Sequence, residues 1–265
     1  MKKIRAIIHK EWTEVFKNRM VIFTVAFLPL VMAALPLGIL YGIRGSVADE
    51  GVISAEFPSQ LTGSMCSSGI SASECLMVFM VSQFMVMFMI IPIAIPVTIA
   101  AYSIVGEKTT RSLEPLLATP ITTAELLLGK CISAVIPAVV ATYASYGIFA
   151  LGSWLLVMNK ALLVSLVDPK WLIAIFIVGP LLAVSAVTFS LMISSRVSDP
   201  RVAEQISMVI IVPVLIGFIG QMAGLFVLTA GVISWVAVGL LLLDILLIYF
   251  ATKVFQRESI LTRWR

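Results

Sequence analysis

Asp244 is the residue of this chain best placed to do chemistry. It stands alone in the run Leu240-Leu241-Leu242-Leu243-Asp244-Ile245-Leu246-Leu247, and the next charge is Lys253. Nine helical residues rise roughly 13 Å. A carboxylate at that depth in hydrocarbon costs about 2.5–3.5 kcal/mol on insertion scales unless it is neutral or paired. No Lys or Arg shares its depth in the apolar runs drawn below, so an ion pair within the chain is not expected. Two readings stand. Asp244 either bonds a hydroxyl, an amide or a free carbonyl on a facing helix, or it lines a polar path and meets a cation or a cationic cargo. The cysteines are the other reactive groups. Cys66 and Cys75 are separated by a stretch rich in Ser and Gly. They read either as a disulfide, persistent on an oxidising face of a membrane, or as two free thiols. Cys131 is expected to stay reduced.

Several chemistries have no residues to carry them. The sequence holds no GxxxxGK[ST] phosphate loop, so the chain itself is not expected to bind or hydrolyse ATP. It has no HExxH, no GxSxG and no Cys/His cluster of metal-binding spacing. No cofactor or metal is therefore expected in the chain, and a membrane-embedded enzyme lacks its constellation. His9 is the only histidine and reads as a surface residue. The methionines of 77–89 form no clean helical stripe and read as packing rather than as a copper path.

The elements that must position these residues are membrane spans. Of 265 residues, 60% are hydrophobic and 12% charged, roughly half the charge of a soluble domain. The charges cluster between runs long enough to cross a bilayer, about 20 apolar residues each. The runs are 20–43, 76–105, 131–158, 171–195, 205–228 and 232–252. The second is free of charge between Glu74 and Glu107 and carries Pro92 and Pro96, which predict a kinked helix. Five runs contain proline, as kinks or as hinges. The fold class is thus all-α integral membrane, a single transmembrane domain over 1–265.

Lys and Arg set the orientation. Fifteen of the 18 lie in 1–19, 106–130, 196–204 and the tail 253–265; only Arg44, Lys160 and Lys170 lie on the other side. Positive charge favours the cytoplasm, so both termini are expected inside, and an even number of spans follows. The net charge of +4 is then a topology signal, and no nucleic acid is implied. The polar, acidic segment 44–75 reads as a solvated external loop.

Three stretches lie on the basic side. Residues 2–19 place Ile4, Ile8, Trp12, Val15 and Phe16 at helical spacing, an amphipathic helix suited to the membrane interface. In 106–130, Ser112 can cap a short helix in which Leu113, Leu116 and Leu117 form one apolar face. That helix stops before Pro120. Thr122 and Glu125 have capping-box spacing and start the next helix. An apolar helix in such a loop fits a groove on a soluble partner or lies on the membrane. In 195–205, Asp199 can cap a helix with Pro200 at its first position.

At these loops the sequence resembles type-2 ABC exporter permeases. The resemblance rests on Gly106-Glu107-Lys108, on Ser112-Leu113-Glu114-Pro115-Leu116-Leu117-Ala118-Thr119-Pro120, and on Glu125-Leu126-Leu127-Leu128-Gly129-Lys130. Asp199-Pro200-Arg201-Val202-Ala203-Glu204-Gln205 is similar to the family's second cytoplasmic turn, and Lys10-Glu11-Trp12 with Lys17-Asn18-Arg19 to its N-terminal helix. Within the family the chain looks closest to sodium-extrusion and multidrug-type permeases. The resemblance implies a transmembrane subunit of an exporter in the cell membrane. Two permease chains, as a homodimer or a related heterodimer, would work with two copies of an ABC ATPase subunit that holds the ATP and Mg. It also implies that Glu107, Leu113, Glu114, Leu116 and Leu117 make or support the ATPase contact. The loop near Gly224 to Gly231 is short where many relatives carry extra half-helices. The alternative is a secondary transporter or channel without an ATPase. Paired intramembrane charges would favour it, and Asp244 is the one deep candidate.

Overall fold

A computed structural model describes residues 2–46, 72–109, 122–156 and 160–254, and every regular element among them is helical. In chain order they are α1 (Lys2–Val15), α2 (Arg19–Ser46), α3 (Ala72–Phe88), α4 (Ile91–Thr109) and α5 (Thr123–Leu156). There follow α6 (Lys160–Leu166), α7 (Pro169–Ile173), a π turn (Ala174–Val178), α8 (Gly179–Ser194) and α9 (Pro200–Ser207). A 3-10 turn (Met208–Ile211), α10 (Val212–Met222) and α11 (Ala230–Val254) follow within the described residues. Among the described residues six stretches are long and apolar enough to cross a membrane: Val21–Ile43, Glu74–Glu107, Ala124–Leu156, Leu163–Ser194, Pro200–Met222 and Ala230–Val254.

The span boundaries differ from the sequence reading where a charge or a proline lies inside a helix. The third span starts at Ala124 rather than 131, because Lys130 is not a loop residue but a buried one. The expected capping box starts α5: the Glu125 N–H donates to Thr122 Oγ1 at 3.2 Å, and the Thr122 N–H to Glu125 Oε2 at 2.9 Å. The fourth span begins earlier, at Leu163, and bends at Asp168, whose side chain accepts the Lys170 N–H at 3.0 Å and caps α7. The fifth spans Pro200–Met222 rather than 205–228. Asp199 caps α9 as expected, accepting the Arg201 N–H at 2.8 Å. Gly224, at φ 69°, turns the chain after α10; this left-handed conformation suits a residue without Cβ. The connection from there to α11 contains no helix.

Prolines break the helices in identifiable ways. Pro92 follows a short interruption at Met89–Ile90, where the N–H groups reach back only three residues, to Val86 and Met87. The second span is therefore kinked between α3 and α4, as its prolines predict. Pro180 cannot donate to the Phe176 carbonyl, and the backbone widens there into the π turn. The Tyr143 hydroxyl donates to that carbonyl at 3.4 Å.

The second span is the hub. In its most apolar window 89% is buried, against 17%, 11% and 11% for the first, fifth and sixth spans. It packs against α5 and α8; α2 lies outside α5, α9 and α10 lie against α3 and α4, and α11 lies on α8. Ala134 and Ala138 of α5 and Ala183, Ala186 and Ser190 of α8 are buried; small residues let membrane helices approach closely. The Ser190 hydroxyl donates to the Val97 carbonyl at 3.2 Å, and Ser145 to the Pro29 carbonyl at 2.8 Å. The helix ends gathered around α1 are called the base below.

Candidate functional site at the base of the bundle

At the base, α1 is bound to the foot of the second and third spans. Its inner side is Ile7, Glu11 and Val15, all buried, while Trp12 and Phe16 keep about two-fifths of their surface exposed. This is a rotation from the face expected of an interfacial helix. The cause is electrostatic: Glu11 turns inward to meet Lys130, 2.7 Å away. Lys130 also lies 2.9 Å from Glu107 and donates to the Ser103 hydroxyl at 2.6 Å. Lys10 reaches the other Glu107 oxygen at 2.8 Å. Glu11, Glu107 and Lys130 are each no more than 3% exposed. Two cations and two anions cancel, so burial leaves no net charge there.

Sterics complete the fit. A Cβ on Gly129 would lie 2.7 Å from Ile7 Cγ2. Glycine at 129 lets α1 lie against α5, beside Lys130. About two turns further along α5, Pro137 lacks the N–H that would bond the Ser133 carbonyl. The Trp12 indole donates to that carbonyl instead, at 2.9 Å. Each residue of Lys10-Glu11-Trp12 thus bonds a different partner at two span ends: Glu107 of α4, then Lys130 and Ser133 of α5. An outer pair, Lys3 and Glu125 at 3.9 Å, lies at the α5 N-terminus.

The second span carries one more polar tie near the base. The Thr98 hydroxyl donates to Glu204 Oε1 at 2.6 Å, linking α4 to α9. The arrangement has no nucleophile and no acid–base pair aimed at an open site. No group of three or more His, Cys, Asp or Glu among the described residues is placed to hold a metal. What it can do is mechanical. It fixes both described ends of the 106–130 loop, one at Glu107 and one at Thr122 to Lys130, against a single helix.

The other expected site residues fall as follows. Leu113, Glu114, Leu116 and Leu117 lie outside the described residues, as does Cys66. Cys75 is half-buried in the first turn of α3, and Cys131 is a free, half-buried thiol on α5. Asp244 is 5% exposed and faces α8, where the Ser185 hydroxyl donates to its Oδ1. Its Oδ2 is buried without a hydrogen-bond partner among the described residues.

Sequence reasoning missed Glu11, Lys130 and Ser103 as one cluster. The signal was present: Glu11 breaks the apolar face of α1, and Lys130 lies eight residues inside a helix whose cap was legible at Thr122. No characterised protein matches the chain. A family model described as ABC-2 family transporter protein matches residues 5–256, nearly the whole chain, and the chain belongs to that family as a multi-pass membrane permease.

Proposed function

We propose that this permease is the transmembrane subunit of an exporter driven by a separate ATPase. The observation that carries the reading is the bracing of the 106–130 loop. A loop that receives force from a soluble partner must be anchored where it joins the spans. Here Glu107 at its start and Lys130 at its end share one ion cluster with α1. Glu107 is buried, so its part is to support the contact from within, and the contact itself falls to Leu113, Glu114, Leu116 and Leu117. The base faces the cytoplasm, two permease chains pair, and two ATPase subunits dock below them. ATP binding closes the ATPases, and α4 and α5 carry the movement to the spans. Cargo leaves toward the outside. The cluster is internally neutral and fully engaged, which suits a brace better than the ion path a secondary transporter would need.

The test is the composition of the purified complex. The transporter is expressed with its ATPase and weighed intact by native mass spectrometry. Two permease chains and two ATPase chains are expected. Leu116→Asp with Leu117→Asp should release the ATPase while the permease stays folded by thermal unfolding. A double variant that keeps its full ATPase complement and transports normally overturns the reading.

A further inference from the structure

A cleft of about 400 Å³ opens between α5, α8 and α11 in the base half of the bundle. That volume lies in the lower part of the range of small-molecule sites, about 300–1,000 Å³. Leu128 and Ile132 of α5 and Ile248 of α11 line it and are exposed, so it faces outward from the bundle. Its hydroxyls are spent within their own helices: Thr188 donates to the Val184 carbonyl at 2.7 Å and Thr252 to Tyr249 at 2.8 Å. The cleft thus presents an apolar wall.

One helical turn deeper along the same two helices lies the Ser185–Asp244 pair. Ile248 of the cleft is four residues from Asp244 on α11, and Val184 and Thr188 flank Ser185 on α8. Asp244 Oδ2 is buried with no partner, and no Lys or Arg pairs with the carboxylate among the described residues. A buried carboxylate with one oxygen unpaired is met either by a proton or by a cation. The helix that carries it is peripheral, with only 11% of its apolar window buried. Asp244 does not itself line the cleft, so a ligand seated there meets the carboxylate only when α11 moves outward.

We infer that the cleft between α5, α8 and α11, with Asp244 at its inner end, binds an amphipathic organic cation, its apolar body in the cleft and its charge against the carboxylate. The inference rests on the permease reading and gives it a class of cargo. Charge complementarity selects this occupant over a lipid tail or a helix of a second copy, neither of which answers the free carboxylate oxygen.

The experiment measures equilibrium binding of tetraphenylphosphonium and of tetraphenylborate, ions of like shape and opposite charge. The purified transporter is held in lipid nanodiscs, and binding to empty discs is subtracted. The wild type should bind the phosphonium at least about tenfold more tightly than Asp244→Asn does, as for close charge pairs taken out of water. Tetraphenylborate should show no such gain. Ala251→Phe, which fills the cleft, should weaken phosphonium binding with Asp244 intact. Ser185→Ala keeps the carboxylate and should keep binding, which separates loss of charge from loss of fold. Phosphonium binding unchanged in Asp244→Asn or in Ala251→Phe overturns the inference. So does equal discrimination for the borate, which marks a lipid slot, or a disulfide between two chains bearing Ile132→Cys, which marks a helix of the second copy in the cleft. Binding is read without ATP, so its failure leaves the ATPase partnership standing, and loss of that partnership leaves the binding result standing.

Discussion

Among the described residues two places bury charge, and they do so in opposite ways. At the base, Lys10, Glu11, Glu107 and Lys130 come from three helices and cancel, with contacts of 2.7–2.9 Å between them. Between α8 and α11, Asp244 has one hydroxyl donor and, among the described residues, a second oxygen with no partner. A buried pair is often no better than apolar packing of the same shape, but breaking it leaves a bare charge and costs about 3–5 kcal/mol. A lone buried carboxylate is the opposite case: it already destabilises, so removing its charge costs the fold little. The base is therefore a structural lock, and the seam is a place where something outside the chain finishes the interaction.

The largest effect should come from opening the lock. Lys130→Met leaves Glu11 and Glu107 facing Lys10 alone, one net negative charge in a closed site. A loss of about 3–5 kcal/mol is expected, visible as a lowered unfolding temperature and poor yield. Adding Glu11→Gln restores neutrality, since Lys10 and Glu107 remain as a pair. The double variant should recover part of the loss. A double variant as unstable as the sum of the two single ones would show that the groups act independently.

The next effect is smaller and tests the hydrogen bond between α1 and α5. Trp12→Phe keeps most of the ring but removes the donor that serves the Ser133 carbonyl. A cost of about 1 kcal/mol is expected, the usual net worth of one such bond. The cause can be separated from lost packing. In a Pro137→Ala background residue 137 supplies its own N–H to Ser133, so Trp12→Phe should then cost almost nothing. An equal cost in both backgrounds would assign the effect to the indole's packing instead.

The contrast also shows what a sequence can disclose. Six spans are legible because a charge-free apolar run of about 20 residues matches the thickness of a bilayer. The caps at Asp199 and at Thr122 with Glu125 are legible because their partners lie two or three residues away. The base cluster is not, because Lys130 pairs with Glu11 across 119 positions. A charge in an apolar chain reads as a loop marker, and this rule moved the start of the third span to 131. The apolar face drawn through Ile4, Ile8, Trp12, Val15 and Phe16 gave Glu11 no role, whereas pairing with Lys130 turns it inward. The Trp12 bond was hidden for a similar reason: Pro137 announces a freed carbonyl, but nothing local names the donor. Asp244 is the reverse case. Its depth and isolation were plain from Leu240 to Leu247, whereas Ser185 is one hydroxyl among many on α8.

The smallest stability effect is expected at Asp244, and it sharpens the comparison most. Asp244→Asn keeps an oxygen to accept from Ser185 and puts an amide NH2 where an oxygen now has no partner. The hydrogen bonding barely changes, while the cost of a charge at mid-depth, about 2.5–3.5 kcal/mol on insertion scales, is removed. The carboxylate meets part of that cost already through Ser185, so the gain is reduced. Thermal unfolding of the purified permease should show Asp244→Asn within about 1 kcal/mol of the wild type, or slightly more stable, since an exchanged polar group of like shape is felt only at the level of one hydrogen bond. Glu107→Gln, the matching change at the base, should be clearly destabilised, because it leaves Lys10 and Lys130 with Glu11 alone. Equal losses in the two variants would mean that Asp244 is as fully compensated as the base cluster. In that case the carboxylate would have no unmet demand for a cation, and the distinction between lock and seam would fail.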